Sequence, residues 1–284
     1  MFTVKFFEDP LLFYEQAHRL WVEAETRNNL ILGLASRLRE DLHAFGEELP
    51  LMALVQAEHG GIAASAVMTP PFAMVVQSEP LNQAAIETLA DALITNGWRL
   101  PGVNGVEDVS DCFARTWQQK TGQDARLIVR SRAYELRQVA EIDLPPGRME
   151  LAKESDAQLA ADLQNAMVAE VIVEPRKPVT SESALVSIRQ KRTFFWVDGG
   201  EAVSIALANR PQITGICVSG VYTPPTQRRR GYARALVAEV SKEMLSRGYE
   251  LVNLFTNLSN PTSNKIYQEV GYKPVCDYHQ YHFE

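Results

Sequence analysis

The 284-residue sequence has only three cysteines, Cys112, Cys217 and Cys276, and none stands at a paired or metal-binding spacing. That excludes a disulfide framework or a cysteine-built zinc site, and it fits a reducing compartment. Cys217 falls inside a strand pattern and reads as a small core residue. The five histidines are scattered. His279-Gln280-Tyr281-His282 alternates as a terminal strand does, so no metal is expected. No apolar run approaches the length of a membrane span. Residues 1–10 carry Glu8 and Asp9 and lack the basic-then-apolar pattern of a secretory signal, so a cytoplasmic location is expected. The net charge of −7 argues against general nucleic-acid binding. There is no Gly-Lys-Ser/Thr phosphate loop and no repeated-glycine dinucleotide loop.

What the chain does have is apolar material, 46% of its residues, enough for two cores. Charge is divided unevenly. Residues 1–147 hold 12 basic and 20 acidic side chains, a balance of −8; residues 148–284 hold 16 and 15, a balance of +1. A polyanionic ligand favours the second half.

The most informative stretch is 213–247. Residues 213–222 are rich in β-branched and aromatic types and read as a strand. Pro224 and Pro225 end it, because proline cannot donate to a ladder. Gln227-Arg228-Arg229-Arg230-Gly231-Tyr232-Ala233 follows. Then Ala233, Leu236, Val237, Val240 and Met244 mark one face of a helix that Gly248 closes. A helix N-terminus offers unpaired N–H groups and the positive end of its dipole. Gly231 and Ala233 allow close approach to the backbone, and the arginine forks suit phosphate. The stretch reads as a pyrophosphate site; the bland alternative is a solvated basic turn before a surface helix.

Downstream, residues 251–256 read as a short buried strand. Asn260-Pro261 has the N-cap and first-position pattern of a helix start, and Gly271 ends that helix. Asn260, Ser263, Asn264 and Tyr267 share one side of it.

Arg228-x-x-Gly231-x-Ala233, with its strand before and helix after, resembles the [Arg/Gln]-x-x-Gly-x-[Gly/Ala] signature of the Gcn5-related N-acetyltransferases. Residues 260–272 resemble that family's Asn…Tyr…Gly-Phe segment, with Tyr272 in place of Phe. The resemblance implies acetyl-CoA as acyl donor. It implies a pyrophosphate held by Arg228, Arg229, Arg230, Gly231, Tyr232 and Ala233, and a pantetheine arm along the backbone of Val221, Tyr222 and Thr223. It implies Asn260 and Asn264 as pantetheine partners and Tyr267 as proton donor to the departing thiolate. Gly220 is the expected place of a strand bulge.

The implied reaction is direct acetyl transfer in a ternary complex to a primary amine of a small molecule or peptide. The alternative is a non-catalytic acyl-CoA-binding module whose acidic first half docks a partner. Glu170 and Glu174 stand near the expected acceptor site, but neither is assigned as the base. Acceptor-binding residues are expected in 171–183 and near Arg210-Pro211. The acceptor's identity and the oligomeric state stay open.

In chain order the pattern predicts helices over 6–25 and 28–40, and strands over 51–57, 62–68 and 74–77. A helix over 82–96, a strand of unassigned bounds, a helix over 109–121 and a strand over 126–136 complete the first half. The second half repeats the order: strand 148–152, helices 157–170 and 182–191, strands 193–198 and 202–209, the stretches above, and a strand pair within 272–283. The expected class is α+β, with two acetyltransferase-like units, each a mostly antiparallel twisted sheet flanked by helices. The expected division is 1–140, a proline-rich linker 141–147, and 148–284. The first half has Gln77-Ser78-Glu79-Pro80-Leu81-Asn82 where the second has its arginine–glycine loop. It reads as a degenerate copy without a cofactor site, or as an unrelated α+β cover.

Overall fold

Alternation of period two, apolar on both faces, builds the first sheet. In Leu51–Ala57 (β2), Leu51, Ala53 and Val55 enter one core while Met52 and Leu54 enter another. The computed structural model describes residues 1–171 and 177–284, and these fall into two units.

Unit 1 comprises Met1–Ala133, Asn257–Ser259 and Val275–Glu284. Its strands are β1 (Phe2–Phe6), β2, β3 (Ile62–Met68), β4 (Met74–Gln77) and β5 (Gly102–Val106). Neighbours pair antiparallel from β1 to β4, and β4 pairs parallel to β5. Helices α1 (Pro10–Val22) and α2 (Glu25–Glu40) cover one face around Phe13, Trp21, Ile31 and Leu38. Helices α3 (Gln83–Thr95) and α4 (Glu107–Thr121) cover the other around Ile86, Leu89, Phe113 and Trp117. Each such fully buried side chain contributes roughly 1.5–3 kcal/mol.

Unit 2 comprises Tyr134–Thr256 and Asn260–Pro274. The strand β6 (Ala125–Leu136) enters it at Tyr134. Strands β7 (Arg148–Leu151), β8 (Thr193–Asp198), β9 (Glu201–Asn209) and β10 (Gly215–Tyr222) pair antiparallel in order, and β10 pairs parallel to β11 (Leu251–Asn257). Helices α5 (Ala157–Val171) and α6 (Ser181–Arg189) pack on one face with Phe195, Ile205 and Tyr222. Helices α7 (Tyr232–Ser246) and α8 (Pro261–Val270) pack on the other with Phe194, Trp196 and Val252. The α+β class and the repeated order are as expected: in each unit four antiparallel strands lead, through a helix, to a parallel fifth.

The structure corrects several expectations. The first helix starts at Pro10, because the Asp9 carboxylate accepts from the Leu11 and Leu12 amides at 2.8 and 3.4 Å; the residues before it form β1. Strand β5, Gly-Val-Asn-Gly-Val, carries no strand signal of its own. It needs glycine because a Cβ at Gly102 would lie 2.0 Å from the Tyr281 carbonyl oxygen, and one at Gly105 would lie 2.7 Å from that of Val76. The terminal segment is one strand, β12 (Lys273–Phe283), not a pair.

The division also differs from 1–140 and 148–284. Residues 278–282 of β12 pair antiparallel with β5, and Phe283 sits in unit 1's core, so the C-terminal segment belongs to unit 1. The proline-rich 141–147 stretch is part of unit 2, where Trp196 donates to the Pro146 carbonyl at 2.9 Å and Arg234 to that of Asp143 at 3.1 Å.

Candidate functional site

Strand β10 loses its regular register between Ser219 and Tyr222. The residue responsible is Gly220, at φ +61°, where a Cβ would come 2.4 Å from Leu207 Cδ1. The bulge expected there is present. Past it, Ser204 anchors the strand end: its hydroxyl donates to the Tyr222 carbonyl at 2.9 Å and lies 2.9 Å from the Thr223 hydroxyl.

A 3₁₀ turn over Pro225–Gln227 carries the chain into the basic loop. Arg229 takes a left-handed φ of +64°, and Gly231, at +84°, is the N-cap of α7. Glycine has no side chain to bond the first-turn amides, and none does so here. The N–H groups at the start of α7 therefore remain available beside three exposed arginines. Tyr232, the first residue of α7, is buried and donates to Asp198 at 2.5 Å.

Helix α8 starts as expected, with the Asn260 side chain accepting from the Ser263 amide at 3.1 Å. Asn264 donates to the Asn260 carbonyl at 2.7 Å and accepts from the Tyr134 hydroxyl at 2.8 Å. One turn further, Tyr267 is buried between the rings of Tyr134 and Tyr272, with centroids 6.3 and 6.1 Å away. Burial pushes its phenol up to about 12, which Ser263, hydrogen-bonded to it, partly opposes. At neutral pH Tyr267 keeps its proton and can donate it.

These parts meet around one cleft of about 420 Å³ in unit 2. Val221, Tyr222, Thr223, Arg228, Arg229, Gly231, Tyr232, Ala233, Asn260 and Tyr267 all line it. Two of the residues singled out in the sequence do not: Arg230 and Asn264. The cleft joins an end lined by Arg228, Arg229 and the start of α7 to the protonated phenol of Tyr267 on α8.

Sequence reasoning missed what Glu170 does. It lies near the end of α5 and lines the cleft. Its two carboxylate oxygens accept from the Tyr222 hydroxyl at 2.6 Å and from Arg228 Nη2 at 2.5 Å. Those bonds, Tyr222's first, hold its carboxyl below the usual range, so it is a poor proton acceptor. Nothing short of the tertiary contact signals this, since Glu170 and Arg228 are 58 positions apart. Glu174 lies outside the described residues, as do Val173 and Pro175 of the expected acceptor loop. Arg210 takes a left-handed φ of +48° and reaches Cys217 Sγ at 2.9 Å. Cys217 is fully buried, as a core residue should be.

At the equivalent place in unit 1 the helix start is capped from within. Helix α3 is capped by Asn82, which accepts from the Ala85 amide at 3.1 Å. The Ser78 hydroxyl accepts from the Asn82 amide at 3.0 Å and donates to the Ala63 carbonyl at 2.7 Å. Glu79 is ion-paired to Arg27. Elsewhere in unit 1, His279 Nδ1 lies 2.7 Å from Asp111, which also accepts from the Tyr281 hydroxyl at 2.8 Å. The alternating histidine and tyrosine thus fasten β12 to α4. Among the described residues, only Glu107, Asp111 and His279 gather enough ligating atoms to share a metal ion, and Asp111 and His279 are already bonded to each other.

Residues 160–272 match the model of the acetyltransferase (GNAT) family. No match was found among curated proteins. A GNAT-family acetyltransferase from Colwellia psychrerythraea is similar in fold (TM-score 0.64, 13% identity, 99% of this chain and 100% of that one). So is a GCN5-related N-acetyltransferase from Sphaerobacter thermophilus (0.63, 17%, 99% and 94%). A tandem GNAT protein from the clavulanic acid biosynthesis pathway aligns over 98% of both chains (0.56, 10% identity). Residues 160–272 thus match the GNAT family model, and over its length the chain shares the fold of these proteins. That fold supports acyl-CoA-dependent acetyl transfer as its general chemistry, and no helix among the described residues is long and apolar enough to cross a membrane.

Proposed function

We propose that this GNAT-domain protein transfers an acetyl group from acetyl-CoA to a primary amine of a small molecule or peptide. Attack is direct, with both substrates bound. The observation that carries the reading is the uncapped start of α7 opening into the same cleft as the Tyr267 phenol.

Acetyl-CoA is the donor substrate and supplies the thioester. Its pyrophosphate is assigned to the first-turn amides of α7 and to Arg228 and Arg229, and its pantetheine arm to the bulged end of β10 at Val221–Thr223. Asn260 faces the same cleft. Asn264, engaged with Tyr134 and Asn260, acts by holding α8 in place. Binding both reactants in one cleft replaces an encounter by a positioned collision, worth several kcal/mol of barrier. The amine nitrogen forms a bond to the acyl carbon, the carbon–sulfur bond breaks, and the nitrogen loses a proton. Tyr267 gives a proton to the departing sulfur. Glu170, engaged by Tyr222 and Arg228, is not assigned as the base, and the amine's proton is assigned to solvent.

Calorimetric titration with acetyl-CoA, followed by thiol release on a panel of amines, tests the reading. One site per chain and amine-dependent release are expected. Binding without release on any amine favours an acyl-CoA-binding module, and no binding sinks the assignment.

A further inference from the structure

We infer that Glu170 is a positioning residue for the phosphate end of the cleft: it fixes the Arg228 guanidinium so that one edge of the fork is held ready for an anion. The inference rests on the acetyl-CoA reading above.

An arginine fork has five N–H donors in one plane. In Arg228 one edge is consumed. Nε donates to the Thr223 carbonyl at 2.8 Å and Nη2 to Glu170 at 2.5 Å. The outer edge of the fork, one Nη1 hydrogen and the second Nη2 hydrogen, has the spacing that suits two phosphate oxygens. The guanidinium carbon also lies 5.6 Å from the centroid of the Tyr222 ring. Tyr222 is itself tied by its hydroxyl to Glu170 at 2.6 Å, and its carbonyl is held by Ser204 at 2.9 Å. The three side chains form a closed triangle, each member limiting the other two. Arg228 is a long side chain, 45% exposed even in the pair, and without Glu170 its outer end would be held by the single Nε bond to Thr223 and free to sample more rotamers.

One effect opposes this. A carboxylate in the cleft repels a polyanion. The pair is 45% and 39% exposed, so solvent and salt screen that repulsion, while the orientation of the fork is not screened. Positioning should therefore win.

The test measures affinity for acetyl-CoA and for acetyl-pantetheine, which lacks the pyrophosphate. It uses wild type, Glu170→Gln, Glu170→Ala, Arg228→Ala and the Glu170→Ala/Arg228→Ala double variant, each checked to be folded at the assay temperature. Glu170→Ala should weaken acetyl-CoA about fivefold and Arg228→Ala about tenfold or more. Glu170→Gln, which keeps an acceptor for Tyr222, should fall between wild type and Glu170→Ala. The double variant should be no weaker than Arg228→Ala, and acetyl-pantetheine should be indifferent to every change. Unchanged or tighter acetyl-CoA binding by Glu170→Ala overturns the inference. So does an equal loss with acetyl-pantetheine, which marks a merely structural role. If wild type binds no acetyl-CoA, the underlying reading falls and this inference with it.

Discussion

The two units place the same elements, strand then loop then helix, at β4–α3 and at β10–α7, and finish them in opposite ways. In unit 1 the helix start is satisfied from within: Asn82 caps it, Ser78 takes another amide, and Arg27 neutralises Glu79. In unit 2 the N-cap is Gly231, which offers no oxygen, and the adjacent charge is positive. An anion site at a helix N-terminus is made largely by what is withheld. A good N-cap stabilises its helix by about 1 kcal/mol and uses the same donors that a phosphate would need. Unit 2 forgoes that stabilisation locally and leaves those donors open for the proposed pyrophosphate.

The comparison can be broken. Gly231→Asp gives unit 2 the features of unit 1, a capping oxygen and a negative charge. A Cβ at Gly231 fits sterically, its nearest neighbour being Pro145 Cγ at 3.9 Å, although the φ of +84° adds strain. Two like charges about 4 Å apart repel by about 4 kcal/mol at an effective dielectric of about 20, so acetyl-CoA affinity should fall by at least about 100-fold. Calorimetry that finds affinity within threefold of wild type would contradict the proposed use of the α7 amides.

Tyr267→Phe comes next. It removes the proton donor while leaving the aromatic packing against Tyr134 and Tyr272. Turnover should drop on the order of 10- to 100-fold with little change in KM. Because burial raises the Tyr267 phenol to about 12, the wild-type pH–rate profile should show no loss attributable to it below about pH 11. A kcat equal to wild type would remove Tyr267 from the chemistry.

A smaller effect is expected in unit 1. Asn82→Ala should cost about 1 kcal/mol of unfolding free energy by loss of the cap, with acetyl-CoA affinity unchanged. Chemical denaturation and titration of the same sample check both halves of that statement. A second acetyl-CoA site in wild type would show that unit 1 is not closed in the way its hydrogen bonds indicate.

The smallest concerns pH. The folded-state pKa of Glu170 is lowered, by Tyr222 first and Arg228 second. Its contribution to stability is then fully present above the unfolded carboxyl value and is lost as pH falls through the folded one. The Tm difference between wild type and Glu170→Gln should be constant from about pH 8 to 5.5 and shrink below about pH 4. A difference that grows in acid would reverse the sign of this linkage.

Much of this was legible in the residues alone. Period-two and period-3.6 patterns, proline breaks and closing glycines located most elements, because those signals are local. The strand, loop and helix of the proposed cofactor site were legible for the same reason: strand, arginines, glycine and helix are contiguous from Gly215 to Ser246. The place of the glycine strand β5 was not, since its glycines answer to the backbones of Tyr281 and Val76, which are distant in sequence. Neither was the placement of β12 in unit 1. A strand of mixed polarity carries no local sign of its neighbours, and β12 finds β5 only in the folded chain. Glu170 shows the same limit most sharply. The sequence determined that a carboxylate ends the first helix of unit 2; only the tertiary structure decided that it grips Tyr222 and Arg228, because hydrogen bonds between elements depend on how the elements pack.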